Sequence, residues 1–171
     1  MNGLVFLLSW RVLAAIAEPG FDVDIGPGVG LGGGAVGAFF TTLVVGAIMI
    51  AVLPGYTERT MASVLDEPVD SFLHGILLLL ALVVVTVALV VTILGIVLAI
   101  PLILAAYLAW AVGSTIAYLA IADRLVGRED GWPKPLFVAA VINGGLALSG
   151  VGGIVAFCVG AVGVGAVFRG R

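Results

Sequence analysis

The most constraining feature of this chain is a stretch of 52 residues, 71–122, that contains no Asp, Glu, Lys or Arg. As a single helix this stretch would be about 78 Å long, because an α-helix rises about 1.5 Å per residue. The hydrocarbon core of a bilayer is roughly 30 Å thick, so the stretch must cross the membrane, turn and cross back. Composition agrees, because 63% of the 171 residues are hydrophobic and only 10% are charged.

The sequence therefore predicts an all-α integral membrane bundle with four or five membrane segments, a glycine-rich C-terminal hairpin and interfacial amphipathic helices. An N-terminal region, 1–34, precedes a polytopic membrane domain, 35–171. The expected spans are 35–53, 72–94, 96–122, 136–148 and 154–168.

The segments outside these spans differ in character. Residues 1–17 favour an interfacial helix over a cleaved signal peptide, because a basic start is missing and Arg11 interrupts the apolar run. Residues 18–34 have the composition of a Pro/Gly-rich linker. Between residues 56 and 71, Met61, Val64 and Leu65 recur at helical spacing, which predicts a short amphipathic helix on the membrane surface.

The closing apolar stretch, 136–168, leaves three alternatives open: two thin spans, a re-entrant hairpin, or one long bent span. If it folds back, the side that holds loops 54–71 and 123–135 carries six basic residues, and the other side carries only Arg11. The positive-inside rule then predicts an outside N-terminus, with both loops and the C-terminus cytoplasmic, in the cell membrane.

The spans offer no groups that favour catalysis, since His74 is the only titratable side chain in the charge-free run. One histidine and one cysteine, Cys158, are too few for a typical metal site. Gly28, Gly30 and Gly33 match G-x-G-x-x-G, but no βαβ unit fits around them. Basic clusters typical of nucleic-acid binding are absent from the sequence. We therefore expect a protein that is not an enzyme, with no metal, cofactor or nucleic-acid partner.

Two sets of residues in or beside the spans are candidates for a functional role. Small residues spaced four apart favour close helix packing or self-association; they are Gly33, Gly37, Ser149, Gly153, Ala156 and Gly160. Polar residues indicate either interhelical hydrogen bonds or a polar track; they are Ser114, Thr115, Tyr118 and Asn143.

A weak internal repeat is also visible, because residues 94–99 resemble residues 152–157 and so align Gly95 with Gly153. Each stretch follows an apolar helix and a proline-containing polar loop. Internal repeats are common in transporters, so a small channel or transporter is the alternative function.

From Val36 onward, the chain resembles a family of small polytopic membrane domains found in halophilic archaea. The resemblance rests on a first span, an amphipathic loop, a hairpin at Thr92–Ile96 leading to Pro101, and a glycine-rich closing hairpin after a polar loop. Some relatives carry this domain after bactofilin-like repeats of polymer-forming cytoskeletal proteins. The resemblance implies a membrane anchor or assembly domain and supplies no catalytic residues. We expect a non-enzymatic membrane scaffold that acts through helix packing in the bilayer, with a second copy or a membrane or cytoskeletal protein as partner.

Overall fold

The computed structural model describes residues 30–129, 131–149 and 152–169, and this part of the chain is helical between short turns. Its six helices are α1 (Gly30–Val52), α2 (Pro54–Asp66), α3 (Pro68–Val90), α4 (Ile93–Val126), α5 (Pro133–Leu148) and α6 (Gly152–Arg169). The predicted all-α fold is confirmed. The predicted helix at 1–17 and most of the predicted linker lie outside the described residues. Residues 30–34, expected to belong to that linker, are instead the first turns of α1.

Proline and glycine mark several of the helix ends. Pro54, Pro68 and Pro133 occupy the first turn of α2, α3 and α5, where the missing N–H of proline has no helical partner to lose. At the end of α4, Gly127 has a φ of 68°, a left-handed conformation that glycine adopts without steric penalty.

Four of these helices, α1, α3, α4 and α6, are long and apolar enough to cross a membrane, and α5 is shorter at 16 residues. Large apolar side chains cover their outer faces; Val36 is 56% exposed, Leu77 62% and Ile154 70%. Such a surface is stable in hydrocarbon and not in water. The chain is therefore a multi-pass membrane protein.

Helix α4 contacts each of the other five helices, and α6 packs closely against both α3 and α4. Helix α5 packs against α4 on one side and against α1 on the other. Helix α2 crosses the end of the bundle and contacts α4 and α6 through a face that buries Thr57, Thr60, Met61 and Val64. This is the amphipathic helix that the spacing of Met61 and Val64 predicts.

The charged side chains gather at one end of the bundle, which we call the ionic end; it comprises residues 54–70, 123–134 and 169. The Tyr56 hydroxyl donates to the carbonyl oxygen of Val167 over 3.1 Å, so the end of α6 lies beside the start of α2. The opposite end, the hairpin end, carries the turns that follow α3 and α5. The closing stretch is thus a pair of antiparallel helices, and the alternative of one long bent span is not realised.

The two turns at the hairpin end share one hydrogen-bonding pattern. After α3, the hydroxyl and the N–H of Thr92 both donate to the carbonyl oxygen of Leu89, over 3.1 and 3.0 Å. After α5, the hydroxyl and the N–H of Ser149 donate in the same way to Leu146, over 2.9 and 3.0 Å. These bonds satisfy polar groups of each turn within the turn itself, which favours its placement among apolar residues.

One glycine lies three residues after Thr92 and another lies three residues after Ser149, and these two glycines set the register of the internal repeat. A Cβ on Gly95 would overlap the Leu89 carbonyl oxygen, and a Cβ on Gly152 would overlap the Leu146 carbonyl oxygen. The equivalent of Gly95 is therefore Gly152, and the alignment with Gly153 drawn from sequence is one residue out of register. The sequence does not reveal this register, because the apolar residues around both turns are alike. The need for glycine arises only in the folded turn, where a Cβ would overlap a carbonyl oxygen.

Candidate functional site: a polar column between helices

A buried polar contact joins α5 to α1 in the apolar interior. The Asn143 side-chain amide donates to the Thr42 hydroxyl over 2.7 Å and lies 3.4 Å from the carbonyl oxygen of Ala38. Thr42 is 1% exposed and Asn143 is half-buried, so the hydroxyl end of this contact is shielded from solvent. Amide-to-hydroxyl bonds of this kind hold helices together in a membrane, with typical contributions of about 0.6 to 2 kcal/mol.

Further polar residues continue along the inner face of α1 toward the ionic end. Thr115 on α4 lies against Gly46, where an added Cβ would be 3.2 Å from the Thr115 methyl group. Tyr118, one turn further, is 1% exposed and belongs to the core cluster that includes Met49. Its hydroxyl has no hydrogen-bond partner among the described residues.

Helix α2 closes this series of residues at the ionic end. The Thr57 hydroxyl lies 3.0 Å from the carbonyl oxygen of Leu53 and 3.3 Å from that of Met49. We call the whole series the polar column; its members are Thr42, Asn143, Thr115, Tyr118 and Thr57. Most of its polar atoms are satisfied by each other or by helix carbonyls, which favours a packed seam over an open path.

The structure separates the four polar residues singled out from sequence. Thr115, Tyr118 and Asn143 lie along the polar column, whereas Ser114 faces α6. The Ser114 hydroxyl donates to the Ala111 carbonyl oxygen over 3.2 Å within its own helix. Thr42 and Thr57 were missed from sequence, since a single threonine carries no local signal of its partner.

The small residues singled out from sequence also have different surroundings. A Cβ on Gly160 would overlap the Trp110 ring, so this glycine makes room for an indole from α4. By contrast, Gly37 and Gly153 have nothing beyond their local backbone within 4 Å of a built Cβ. Gly33 and Ser149 are exposed, and Ala156 is half-buried. Among the glycines of this set in the described residues, Gly160 is the one whose added Cβ would meet another helix.

The closest helix contacts use glycines that sequence reasoning missed. A Cβ on Gly75 of α3 would overlap the Ala161 carbonyl oxygen of α6, and one on Gly165 would overlap the Ser71 carbonyl oxygen. On the other side of α6, Gly163 faces Gly113 of α4 backbone to backbone. A signal was present, because Gly160 and Gly163, and Ala161 and Gly165, form two small-residue faces on α6. A helix with two such faces is suited to close neighbours on both sides.

Two arginines organise the ionic end. Arg128 donates to both carboxylate oxygens of Asp123 and to Glu58 of α2, each over 2.9 Å, and its guanidinium lies 4.1 Å from the centre of the Trp132 ring. The hydrogen bonds from Arg128 to Asp123 raise the pKa of Arg128 above its ordinary value, so the guanidinium stays charged. Arg169 at the end of α6 pairs with Glu67 and, over 3.7 Å, with Asp70.

In the described ranges, no three His, Cys, Asp or Glu side chains are grouped so that they could hold a metal ion. His74 is exposed at the ionic end, with Nδ1 2.9 Å from the Asp70 carbonyl oxygen of its own helix. Cys158 is exposed on the outer face of α6. The arrangement joins helices, and its chemistry is that of hydrogen bonds, ion pairs and close packing.

Replacing Asn143 by Leu is expected to weaken the contact between α1 and α5. The substitution removes the bond to Thr42 and leaves that hydroxyl buried, so the free energy of unfolding should fall by about 1 to 2 kcal/mol. Equilibrium unfolding in mixed micelles measures the change. Val141→Leu is the control, because Val141 is 47% exposed on the same helix and should tolerate the larger side chain.

No curated protein and no solved structure matches this chain. A family model matches residues 2–171, which is nearly the whole sequence, and its description is a domain of unknown function, DUF8173. The apolar spans and the packed bundle are thus features of a chain that belongs to the DUF8173 family.

Proposed function

We propose that this chain is a non-enzymatic membrane scaffold or assembly subunit, and that it works as a rigid helical platform in the bilayer. The observation that carries the proposal is the packing of α6, whose backbone contacts α3 and α4 directly at Gly75, Gly113, Gly163 and Gly165. Helices held at this distance have little freedom to part. A rigid body with an apolar outside surface is suited to holding a partner in place.

The ion pairs at the ionic end support the same proposal. Arg128 ties α2 to the end of α4, and Arg169 ties the end of α6 to the start of α3. Exposed pairs of this kind contribute little to stability one at a time, but together they fix where α2 lies on the bundle. The outer face of α2 then presents Glu58, Arg59 and Asp66 to the aqueous side, where a soluble or cytoskeletal partner protein would meet it.

For the membrane and its sides, we propose the cell membrane with the ionic end in the cytoplasm. The support is the distribution of basic residues: Arg59, Arg124, Arg128, Lys134 and Arg169 all belong to the ionic end. Arg11 is the one basic residue that precedes α1. The resemblance to halophilic domains and to domains fused to bactofilin-like repeats favours a cytoplasmic cytoskeletal partner.

The test is gentle extraction from native membranes, followed by mass measurement of the intact assembly. A second copy or a stoichiometric partner protein is the expected result, and a lone monomer would contradict the proposal. Gly37→Leu and Gly153→Leu sharpen the test, because both glycines have open space around them and substitution should leave the fold intact. Loss of the partner in either variant, with unchanged thermal unfolding, would place the contact on that helix face. Gly145→Leu, equally open but outside the small-residue pairs, is the matched control.

A small channel or transporter is the second candidate, and the polar column is the observation that favours it. The unpartnered Tyr118 hydroxyl and the Asn143–Thr42 contact would be the polar points along a path. Flux through liposomes that changes in Asn143→Leu would support this candidate. Folded protein that gives no flux under any gradient would exclude it.

A further inference from the structure

The two hairpins reach different distances from the ionic end, as the register between α3 and α6 shows. Gly75 meets Ala161, and the two helices run in opposite directions. Gly152, nine residues before Ala161, is therefore level with Val84 of α3. Residues 85–90 of α3 continue beyond the start of α6, which is about 9 Å of helix.

The register between α4 and α6 gives the same result. Gly113 meets Gly163, and these two helices run in the same direction. Gly152, eleven residues before Gly163, is therefore level with Leu102. Residues 93–101 of α4 lie beyond it, about 14 Å of helix. The α3–α4 hairpin thus extends roughly 9 to 14 Å past the start of α6 at Gly152.

The extending tip has the surface of a segment that lies in hydrocarbon. Its outward side chains are apolar; Val91 is 77% exposed, Val97 67% and Ile100 66%. It lies within the stretch that contains no Asp, Glu, Lys or Arg. Exposing this much apolar surface to water is unfavourable, so the tip extends no further than the surface of the leaflet. With the tip at that surface, the turn at Ser149 lies deeper in the leaflet.

The α5–α6 hairpin itself is built for that depth. Helix α5 has 16 residues and is about 24 Å long, which is shorter than a hydrocarbon core of roughly 30 Å. The described residues on either side of its turn are satisfied within the turn, because the Ser149 hydroxyl and N–H bond to Leu146 and the Gly152 N–H donates to the Ser149 carbonyl oxygen over 2.9 Å. Leu148 and Ile154 flank the turn with 57% and 70% exposure.

We infer that α5–α6 is a re-entrant hairpin, which enters the membrane from the ionic end, turns inside the opposite leaflet at Ser149, and returns. Lipid acyl chains of that leaflet cover the turn and contact Leu148 and Ile154. The α3–α4 hairpin beside it reaches the leaflet surface. The inference concerns depth in the bilayer and holds whether the bundle is a scaffold or a channel.

Fluorescence quenching by brominated lipids tests this depth difference. Val97→Cys and Ile154→Cys, each in a Cys158→Ala background, place single probes on two side chains that are 67% and 70% exposed. The labelled proteins are reconstituted into phosphatidylcholine vesicles with bromine either near the headgroup or near the chain end. The probe at 97 should be quenched more by bromine near the headgroup, and the probe at 154 more by bromine near the chain end. The two depths should differ by roughly 10 Å, since seven residues of register separate them.

Equal depths at the two positions, or a shallower probe at 154, would overturn the inference. Thermal unfolding of each labelled protein checks that the bundle is intact. Val91→Cys and Leu148→Cys form a second pair on the opposite arms of the same two turns and must give the same order of depths. A membrane-impermeant maleimide adds a readout independent of quenching: a thiol at 148 that reacts as fast as one at 91 would also overturn the inference.

Discussion

Gly163→Ala is expected to destabilise the bundle by about 3 kcal/mol or more, a large part of the stability of a typical domain. The added Cβ would overlap the Gly113 carbonyl oxygen, and backbone atoms cannot rotate away as a flexible side chain can. Helices α4 and α6 would have to separate, and every contact along that seam would loosen. Adding atoms to a well-packed core typically costs about 1 to 3 kcal/mol. The cost of an overlap with backbone atoms should lie at or above the upper end of that range. Equilibrium unfolding in mixed micelles measures the loss.

Gly153→Ala is the matched control on the same helix. Its built Cβ meets nothing within 4 Å, and alanine is the better helix former by about 1 kcal/mol. Its unfolding free energy should stay level or rise slightly. Similar stability for the two variants would mean that α4 and α6 are further apart than the structure shows.

Tyr118→Ala is expected to lower the free energy of unfolding by about 3 to 5 kcal/mol, as large aromatic truncations in cores do. Tyr118 is 1% exposed and lies in the main core cluster, where α2 covers the ionic end. The cavity would sit beneath α2, which depends on this core for its position. Equilibrium unfolding reports the stability, and protease sensitivity of α2 reports its docking.

Tyr118→Phe keeps the ring and removes only the hydroxyl. Its effect on the free energy of unfolding should have the opposite sign to that of Tyr118→Ala. The hydroxyl is buried without a partner among the described residues, and burying such a group costs about 1 to 3 kcal/mol. Phenylalanine keeps the ring and removes that cost, so the variant should be as stable as the natural chain or more so. A clear destabilisation by phenylalanine would show that the hydroxyl has a partner, such as a buried water.

Much of the fold can be predicted from the sequence because a membrane imposes few choices. A charge-free run long enough for two crossings predicts the α3–α4 hairpin. Thr92 and Gly95 form the turn that divides this run into two helices. The amphipathic helix α2 follows from the spacing of Met61 and Val64. The end of α4 is less predictable: the helix continues past Asp123 to Val126 because Asp123 has a partner in Arg128.

The contacts between helices are harder to predict, because each depends on a partner far away in sequence. Gly153 and Gly160 look alike in a small-residue pattern, yet one is open and the other receives Trp110. The same holds for Asn143, whose partner Thr42 is about a hundred residues away. Spacing identifies which residues are small or polar, and only the fold decides which of them meet.

The contacts of α6 with both α3 and α4 have a consequence for how the protein is made. Chain order puts α3 and α4 in the membrane before α6 has been synthesised, and both of them contact α6 in the finished bundle. During synthesis, Gly75 and Gly113 therefore contact lipid or a chaperone until α6 has been inserted. The contacts that α6 makes with α3 and α4 form last, after the other helices have been synthesised. A chain that ends before residue 152 would have glycine faces without their partner helix, which makes it a suitable substrate for membrane quality control.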